Sequence, residues 1–122
     1  MTARKRKDVL SGKTLKAATG CGSMYLTLNT DEGELVECRL EIGKSGGCTK
    51  NMLSVIGILY SILLQSGIEK EIVIKTVKRH LLGVSCGEPF ITRGKTYKSC
   101  LDWAARKILE ELKSEVSEER SV

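Results

Sequence analysis

The chain contains little proline, histidine or aromatic side chain. Its 122 residues include one Pro, one His, one Trp, one Phe and three Tyr. So few aromatic residues argue against a surface that stacks nucleic-acid bases. The lone His80 falls at the end of a basic predicted helix, where it suits the helix dipole better than a catalytic role. No set of nucleophile, base and orienting group is visible, so we do not expect the chain to be an enzyme on its own.

Long apolar runs are also missing. The longest, from Met52 to Leu64, has 13 residues and is interrupted by small and polar ones, whereas a bilayer span needs about 20. No apolar segment of the secretory type follows the basic N-terminus. With 41% hydrophobic and 29% charged residues, the composition is that of one globular domain. We expect a soluble, cytoplasmic protein without membrane contact.

The net charge of +5 is concentrated at one end of the chain. Residues 1–16 carry six Lys or Arg against Asp8 alone, and the other residues are balanced. We therefore divide the chain into a basic arm (1–16), a domain (17–114) and an acidic tail (115–122). The arm is either a solvated leader or a docking segment, and nucleic-acid binding is not expected beyond it.

Hydrophobic periodicity predicts an α+β fold. Residues 23–29 and 36–42 alternate apolar and polar side chains around a turn-forming stretch, which is typical of a β-hairpin with one buried face. Helical patterns follow at about 49–65, at 69–82, and from Ser99, with Asp102 as its capping-box partner. Residues 84–97 are either irregular or a short second hairpin. The expected architecture is a single domain with an antiparallel sheet based on the hairpin and packed by three helices.

The first predicted helix is apolar almost all round and carries a stripe of small residues, Ser54, Gly57 and Ser61. Such a stripe permits the close approach of a neighbouring backbone, a ligand or a second subunit. Tight packing within the chain is the preferred interpretation, and a homo-oligomer built on this stripe is the alternative.

A glycine-rich segment joins the predicted hairpin to the first helix. Glycine leaves backbone N–H groups free to face an anion, and a helix N-terminus favours a phosphate. The order of residues is not that of a Walker A loop. We predict that this segment and the turn after residue 18 line a site for a phosphorylated, nucleotide-type small molecule. The predicted ligand-binding residues are Thr19, Gly20, Gly22, Lys44, Ser45, Gly46, Gly47 and Thr49.

Five cysteines lie in a chain that we expect to be reduced. None forms a Cys-x-x-Cys pair, yet four of them could converge in space as a zinc or thiol site: Cys21, Cys48, Cys86 and Cys100. Cys48 and Cys100 begin predicted helices, where the dipole is expected to lower the thiol pKa. Three interpretations remain open, namely small buried hydrophobic residues, a zinc site and redox chemistry.

Taken in order, several segments resemble the TSCPD domain, found at the C-terminal end of adenosylcobalamin-dependent ribonucleotide reductases and in short stand-alone proteins. The matching segments cover about residues 5–112: Asp8-Val9-Leu10-Ser11-Gly12-Lys13-Thr14, Thr19-Gly20-Cys21-Gly22, Tyr25-Leu26-Thr27-Leu28-Asn29, Gly43-Lys44-Ser45-Gly46-Gly47-Cys48, Ser66-Gly67-Ile68 and Lys98-Ser99-Cys100-Leu101-Asp102. In the name-giving Thr-Ser-Cys-Pro-Asp motif, Lys98 and Leu101 replace Thr and Pro.

The resemblance implies an association with nucleotide metabolism but not the reductase reaction. The chain has no room for the catalytic barrel or the cobalamin site, and it lacks the C-terminal cysteine pair used for re-reduction. Our first hypothesis is a non-catalytic module that binds, sequesters or senses a phosphorylated nucleotide, without a certain cofactor. The alternative is an accessory thiol or zinc domain that acts on a ribonucleotide reductase subunit. A third hypothesis is an interaction domain that docks through its basic arm.

Overall fold

The computed structural model describes residues 3–43 and 47–112 and has an α+β fold. Three long strands are followed by two helices, a short hairpin and a last helix. In chain order the elements are β1 (Ser11–Thr19), β2 (Gly22–Asp31), β3 (Glu34–Ile42), α1 (Gly47–Gln65), α2 (Lys70–His80), β4 (Phe90–Thr92), β5 (Lys95–Tyr97) and α3 (Cys100–Glu111). The acidic tail predicted for residues 115–122 lies outside the described residues.

The predicted hairpin is confirmed as β2 and β3. Its two-residue turn, Glu32-Gly33, has φ of 53° and 81°, and positive φ at both positions matches the twist of an antiparallel pair. Met24, Leu26 and Leu28 are buried on one face of β2, as their alternation predicted. The second predicted turn also forms a hairpin, in which β4 and β5 pair around Arg93-Gly94.

A third strand, β1, lies where the basic arm was expected to continue. Residues 11–16 belong to β1, which pairs antiparallel with β2 from Ser11 opposite Thr30 to Thr19 opposite Gly22. The sheet order is β1-β2-β3. Only Ala17 of this strand is fully buried. Because β1 is an edge strand with only three apolar residues among nine, too few for a sustained alternation, hydrophobic periodicity did not reveal it.

Helix α1 covers the free edge of β3. The Ser61 hydroxyl donates to the Cys38 carbonyl oxygen at 2.9 Å and lies 3.0 Å from the Cys38 amide nitrogen, which donates to it. The Gln65 side-chain amide donates to the Val36 carbonyl oxygen at 2.9 Å. These side chains satisfy strand groups that have no further strand to pair with. Two of the three residues of the small-residue stripe, Gly57 and Ser61, therefore pack within the chain, as preferred above, whereas Ser54 is exposed.

Gly57 sets how closely α1 approaches the strand. A Cβ added at Gly57 would lie 3.1 Å from both the Cys38 carbonyl oxygen and the Leu40 amide nitrogen. Among the described helices, α1 alone has the length and apolar composition of a membrane span. Its hydrogen bonds to β3 make it part of the small α+β domain, since withdrawing it would leave the strand edge unpaired.

Helices α2 and α3 complete the core over the buried face of the sheet. Val73 and Val77 of α2 and Trp103, Ala104 and Ile108 of α3 are buried in one cluster with the apolar side chains of β2 and β3. Burying a large aliphatic side chain contributes about 1.5–3 kcal/mol. One continuous core therefore joins the sheet to both helices.

The described part of the basic arm lies on acidic side chains of the domain. Lys7 and Arg4 form ion pairs with Asp31 at 2.9 and 3.3 Å, and Arg6 pairs with Glu37 at 2.9 Å. Hydrogen bonds from Lys7 and Arg4 hold the pKa of the Asp31 carboxyl below its ordinary value. These contacts neutralise part of the positive charge that the sequence concentrates in residues 1–16.

We predict that Gly57→Val destabilises the domain by about 2–4 kcal/mol, because the new side chain meets the backbone of β3 rather than a movable side chain. Urea unfolding monitored by circular dichroism measures the loss. Ser54→Val is the matched control, since Ser54 is exposed one turn earlier on the same helix. Equal stability of both variants would contradict the close approach of α1 to β3.

Candidate functional site

The predicted site residues gather at one end of the three-stranded sheet. The turn Gly20-Cys21 joins β1 to β2 there. The Gly43 amide donates to the Ser23 carbonyl oxygen at 2.8 Å, so the end of β3 lies beside the start of β2. Helix α1 begins four residues later, at Gly47. Lys44, Ser45 and Gly46, the middle of the predicted phosphate-binding segment, lie outside the described residues.

The hydroxyl of Thr19 organises the turn. It donates to the Gly22 carbonyl oxygen at 2.8 Å and accepts the Cys21 amide at 3.0 Å. Both bonds fix the backbone around Gly20 and leave the Cys21 side chain exposed. The Thr19 hydroxyl thus positions Cys21, and its contact with a ligand stays a prediction.

A second segment, residues 83–89, reaches this end of the sheet from α2. A Cβ added at Gly20 would lie 2.6 Å from the Cβ of Glu88, so the turn and this segment are in direct contact and Gly20 has no space for a side chain. The Cys86 amide donates to the Lys98 carbonyl oxygen at 3.2 Å. The thiol of Cys86 is 3.2 Å from the Glu88 amide that donates to it. Glu88 carried no signal in the sequence.

Ser99 and Asp102 attach the segment 83–89 to the start of α3. Ser99 caps the helix by accepting the Asp102 amide at 3.0 Å, and its hydroxyl donates to the Val84 carbonyl oxygen at 2.6 Å. The predicted cap is confirmed. The Asp102 carboxylate, however, does not return to Ser99 as in a capping box. It accepts the amides of Gly83 at 2.8 Å and Lys98 at 3.0 Å.

Asp102 is buried, and its carboxylate serves as a structural hydrogen-bond acceptor for the two amides. Its side chain is 1% exposed, and its remaining partner is Arg106, whose Nε lies 3.3 Å away. A buried carboxylate is tolerated where such donors surround it. Ser99 and Asp102 are the residues of the Thr-Ser-Cys-Pro-Asp motif that lie on either side of Cys100. They therefore hold the segment that carries Cys86 next to the start of α3, which carries Cys100.

Three of the four predicted cysteines lie on backbone segments that contact one another, because the turn before Cys21 touches Glu88 and the Cys86 amide bonds to the residue two positions before Cys100. The half-buried Cys100 has a raised thiol pKa, first because of burial and then because of the nearby thiols of Cys21 and Cys86. Cys21 and Cys86 are exposed. The prediction that the helix dipole lowers the Cys100 pKa is wrong, because burial and the neighbouring thiols outweigh the helix N-terminus.

The remaining cysteines are separate. Cys48 is exposed in the first turn of α1, and the fully buried Cys38 has its pKa raised by burial to about 12. Within residues 3–43 and 47–112 no three His, Cys, Asp or Glu side chains are close enough to hold a metal ion. Cys21, Cys86 and Cys100 therefore lie on neighbouring backbone segments, but in the described residues their thiols are not assembled into a metal site.

The other described residues of the predicted ligand site lie at the starts of β2 and α1. Gly22 (φ 124°) starts β2, and Gly47 (φ 66°) starts α1. Thr49 is exposed in the first turn of α1, which contains no acidic residue. The Gly43–Gly47 segment thus connects the thiol-bearing end of the sheet to a helix N-terminus.

We predict a fixed order of alkylation by iodoacetamide at mildly alkaline pH. The exposed Cys21, Cys48 and Cys86 react first, Cys100 follows, and Cys38 reacts only after unfolding, because the thiolate is the attacking species and needs access. Peptide mass spectrometry over time gives the order. Reaction of Cys100 ahead of the three exposed thiols would contradict the environment described for it.

A comparison with protein-family models finds a match over the segments described above. The family model described as the TSCPD domain matches residues 1–113, which include the turn, the glycine-rich segment, the four cysteines and the Ser99–Asp102 cap. No curated protein and no solved structure matched the chain. The predicted resemblance is confirmed over nearly the whole sequence, and the chain belongs to the TSCPD domain family.

Proposed function

We propose that this protein is a binding module whose ligand site is the end of the sheet that carries Cys21, Cys86 and Cys100. The observation that supports it is the contact among three cysteine-bearing segments from separate parts of the chain: the β1–β2 turn, the segment 83–89 and the start of α3. In a reducing compartment such as the cytoplasm, a structural disulfide is not expected among these cysteines.

The ligand chemistry best matched to this donor set is a soft divalent cation, Zn²⁺. Zinc binds thiolates in tetrahedral sites, typically with three or four cysteines. Cys21, Cys86 and Cys100 would hold the ion. Bound zinc would crosslink the turn, the segment 83–89 and the start of α3. Because the described thiols do not form a closed shell, we propose that binding draws the exposed Cys21 and Cys86 toward Cys100.

A second candidate is the phosphorylated, nucleotide-type ligand predicted from the glycine-rich segment. One observation favours it: α1 begins at Gly47, at the end of the sheet that carries the turn of Gly20, with Lys50 and no acidic residue in its first turn. Unpaired amides at a helix N-terminus attract an anion. In this case we propose that the protein sequesters or senses a nucleotide. For either ligand, the family resemblance suggests a ribonucleotide reductase subunit as the partner.

We predict that the full-length reduced protein retains one Zn²⁺ per chain after dialysis, measured by native mass spectrometry. Zinc at 100 times its Kd should raise the free energy of unfolding by about 2.7 kcal/mol. Cys86→Ser and Cys100→Ser are expected to lose both effects, because each removes a thiolate. The matched control Cys38→Ala, which alters a thiol outside the cluster, should keep them.

Two outcomes would contradict the zinc proposal. One is a wild-type protein that binds no zinc, and the other is equal zinc retention by wild type and Cys86→Ser. A parallel sample incubated with a mixture of nucleoside mono-, di- and triphosphates separates the two candidates. A retained nucleotide mass without metal would favour the phosphorylated ligand.

A further inference from the structure

The outward face of α1 carries an apolar surface that the single chain leaves open. Four of its side chains repeat with heptad spacing of three, four and three residues, and we call them the α1 seam: Met52, Val55, Leu59 and Ile62. They are 51–63% exposed, and Ile58 beside them is 55% exposed. Such spacing is typical of helices that pack side by side.

The seam is not a by-product of a poorly packed helix. The opposite side of α1 buries Leu53 in the core, and a third side holds β3 through Gly57 and Ser61. Two sides of the helix are therefore fully used within the chain. β3 covers Gly57 and Ser61, two of the three residues of the small-residue stripe, and the seam is the largest face of α1 that remains open.

The area of the seam suits an interface between proteins. With Ile58 it exposes roughly 500 Å² of apolar side chain, near the upper end for the largest patch on a monomer. A standard interface buries about 800 Å² per partner, including a polar rim. An apolar centre of this size, with a polar rim around it, would supply the buried area that a stable dimer requires.

The charges next to the seam favour a protein over a bilayer. A groove of about 310 Å³ separates α1 from the polar face of β3, and its lining includes Ile58 and Ile62 together with Glu37, Arg39 and Glu41. Inserting α1 into lipid would carry charges of both signs toward the hydrocarbon, at a high cost. At a protein interface the same side chains would form the solvated rim.

The seam is also complementary to itself. Its four positions are symmetrical about residue 57, so an antiparallel two-fold arrangement places Met52 against the partner's Ile62 and Val55 against the partner's Leu59. Each pair then combines two side chains of different shape, and the total volumes of the two kinds of pair are similar. No charged residue interrupts α1 between Lys50 and its end at Gln65. Self-complementarity of this kind is what an isologous dimer needs.

We propose that the protein forms a homodimer in which the α1 seams of two copies pack antiparallel about a two-fold axis near Gly57. The interface lies along the outer face of α1, and it does not depend on the identity of the ligand at the cysteine-bearing end. The two cysteine sites of the dimer would then lie toward opposite ends of the paired helices.

Sedimentation equilibrium over a micromolar concentration series tests the dimer. The wild type is expected at twice the monomer mass of 13.4 kDa. Ile62→Lys should raise the dimer Kd by about 100-fold or more, since it removes a buried side chain twice and places two charges in the interface. Ile91→Lys is the matched control, because Ile91 is 70% exposed on β4, and it should leave the Kd unchanged.

The direction of the helices has its own test. Combining Met52→Lys with Ile62→Glu in one chain juxtaposes opposite charges in an antiparallel dimer and like charges in a parallel one. The double variant should therefore dimerise more tightly than either single variant. A double variant no tighter than the single ones would overturn the antiparallel arrangement. A monomeric wild type, or one that floats with phosphatidylcholine vesicles, would overturn the dimer itself.

Discussion

The fold depends on the way in which α1 closes the open edge of β3. An antiparallel sheet of three strands has two edges, and an unpaired edge exposes backbone donors and acceptors. Here Ser61 and Gln65 provide the missing hydrogen-bond partners, and Gly57 lets the helix axis come close enough for them to reach. A hydrogen bond of this type contributes about 1 kcal/mol, but a buried backbone group left unpaired costs about 1–3 kcal/mol. The contact is thus worth more than its individual bonds.

This one contact determines both surfaces to which we assign roles. It fixes the start of α1 at the end of the sheet that carries the turn of Gly20 and Cys21, which the segment 83–89 also contacts. It also fixes the rotation of α1 about its own axis, which turns the seam from Met52 to Ile62 outward. Asp102 plays the corresponding part on the other side of the site, since its carboxylate holds the backbone of Gly83 and Lys98. The proposed ligand site is therefore held in place by backbone and side-chain hydrogen bonds outside the cysteines themselves.

The fold class, the β2–β3 hairpin and the Ser99 cap were predictable from sequence because each rests on local periodicity or a capping rule. Strand β1 was not predictable, because its three apolar residues among nine form no sustained alternation. The convergence of the thiols was only a possibility in the sequence, since spacing along the chain does not encode proximity in space. The raised pKa of Cys100 was missed for the same reason, because burial depends on the tertiary structure. The inward direction of Gly57 was predicted, but not that its neighbour is the backbone of β3.

Hydrogen exchange of the Cys38 amide tests the central contact most directly. This amide points away from β2 and donates to Ser61 instead, so only the helix protects it from solvent. We predict that it exchanges as slowly as the amides of β3 that pair with β2, and that Ser61→Ala accelerates its exchange while leaving those amides protected. Exchange of the wild-type Cys38 amide at the rate of an exposed strand edge would contradict the account.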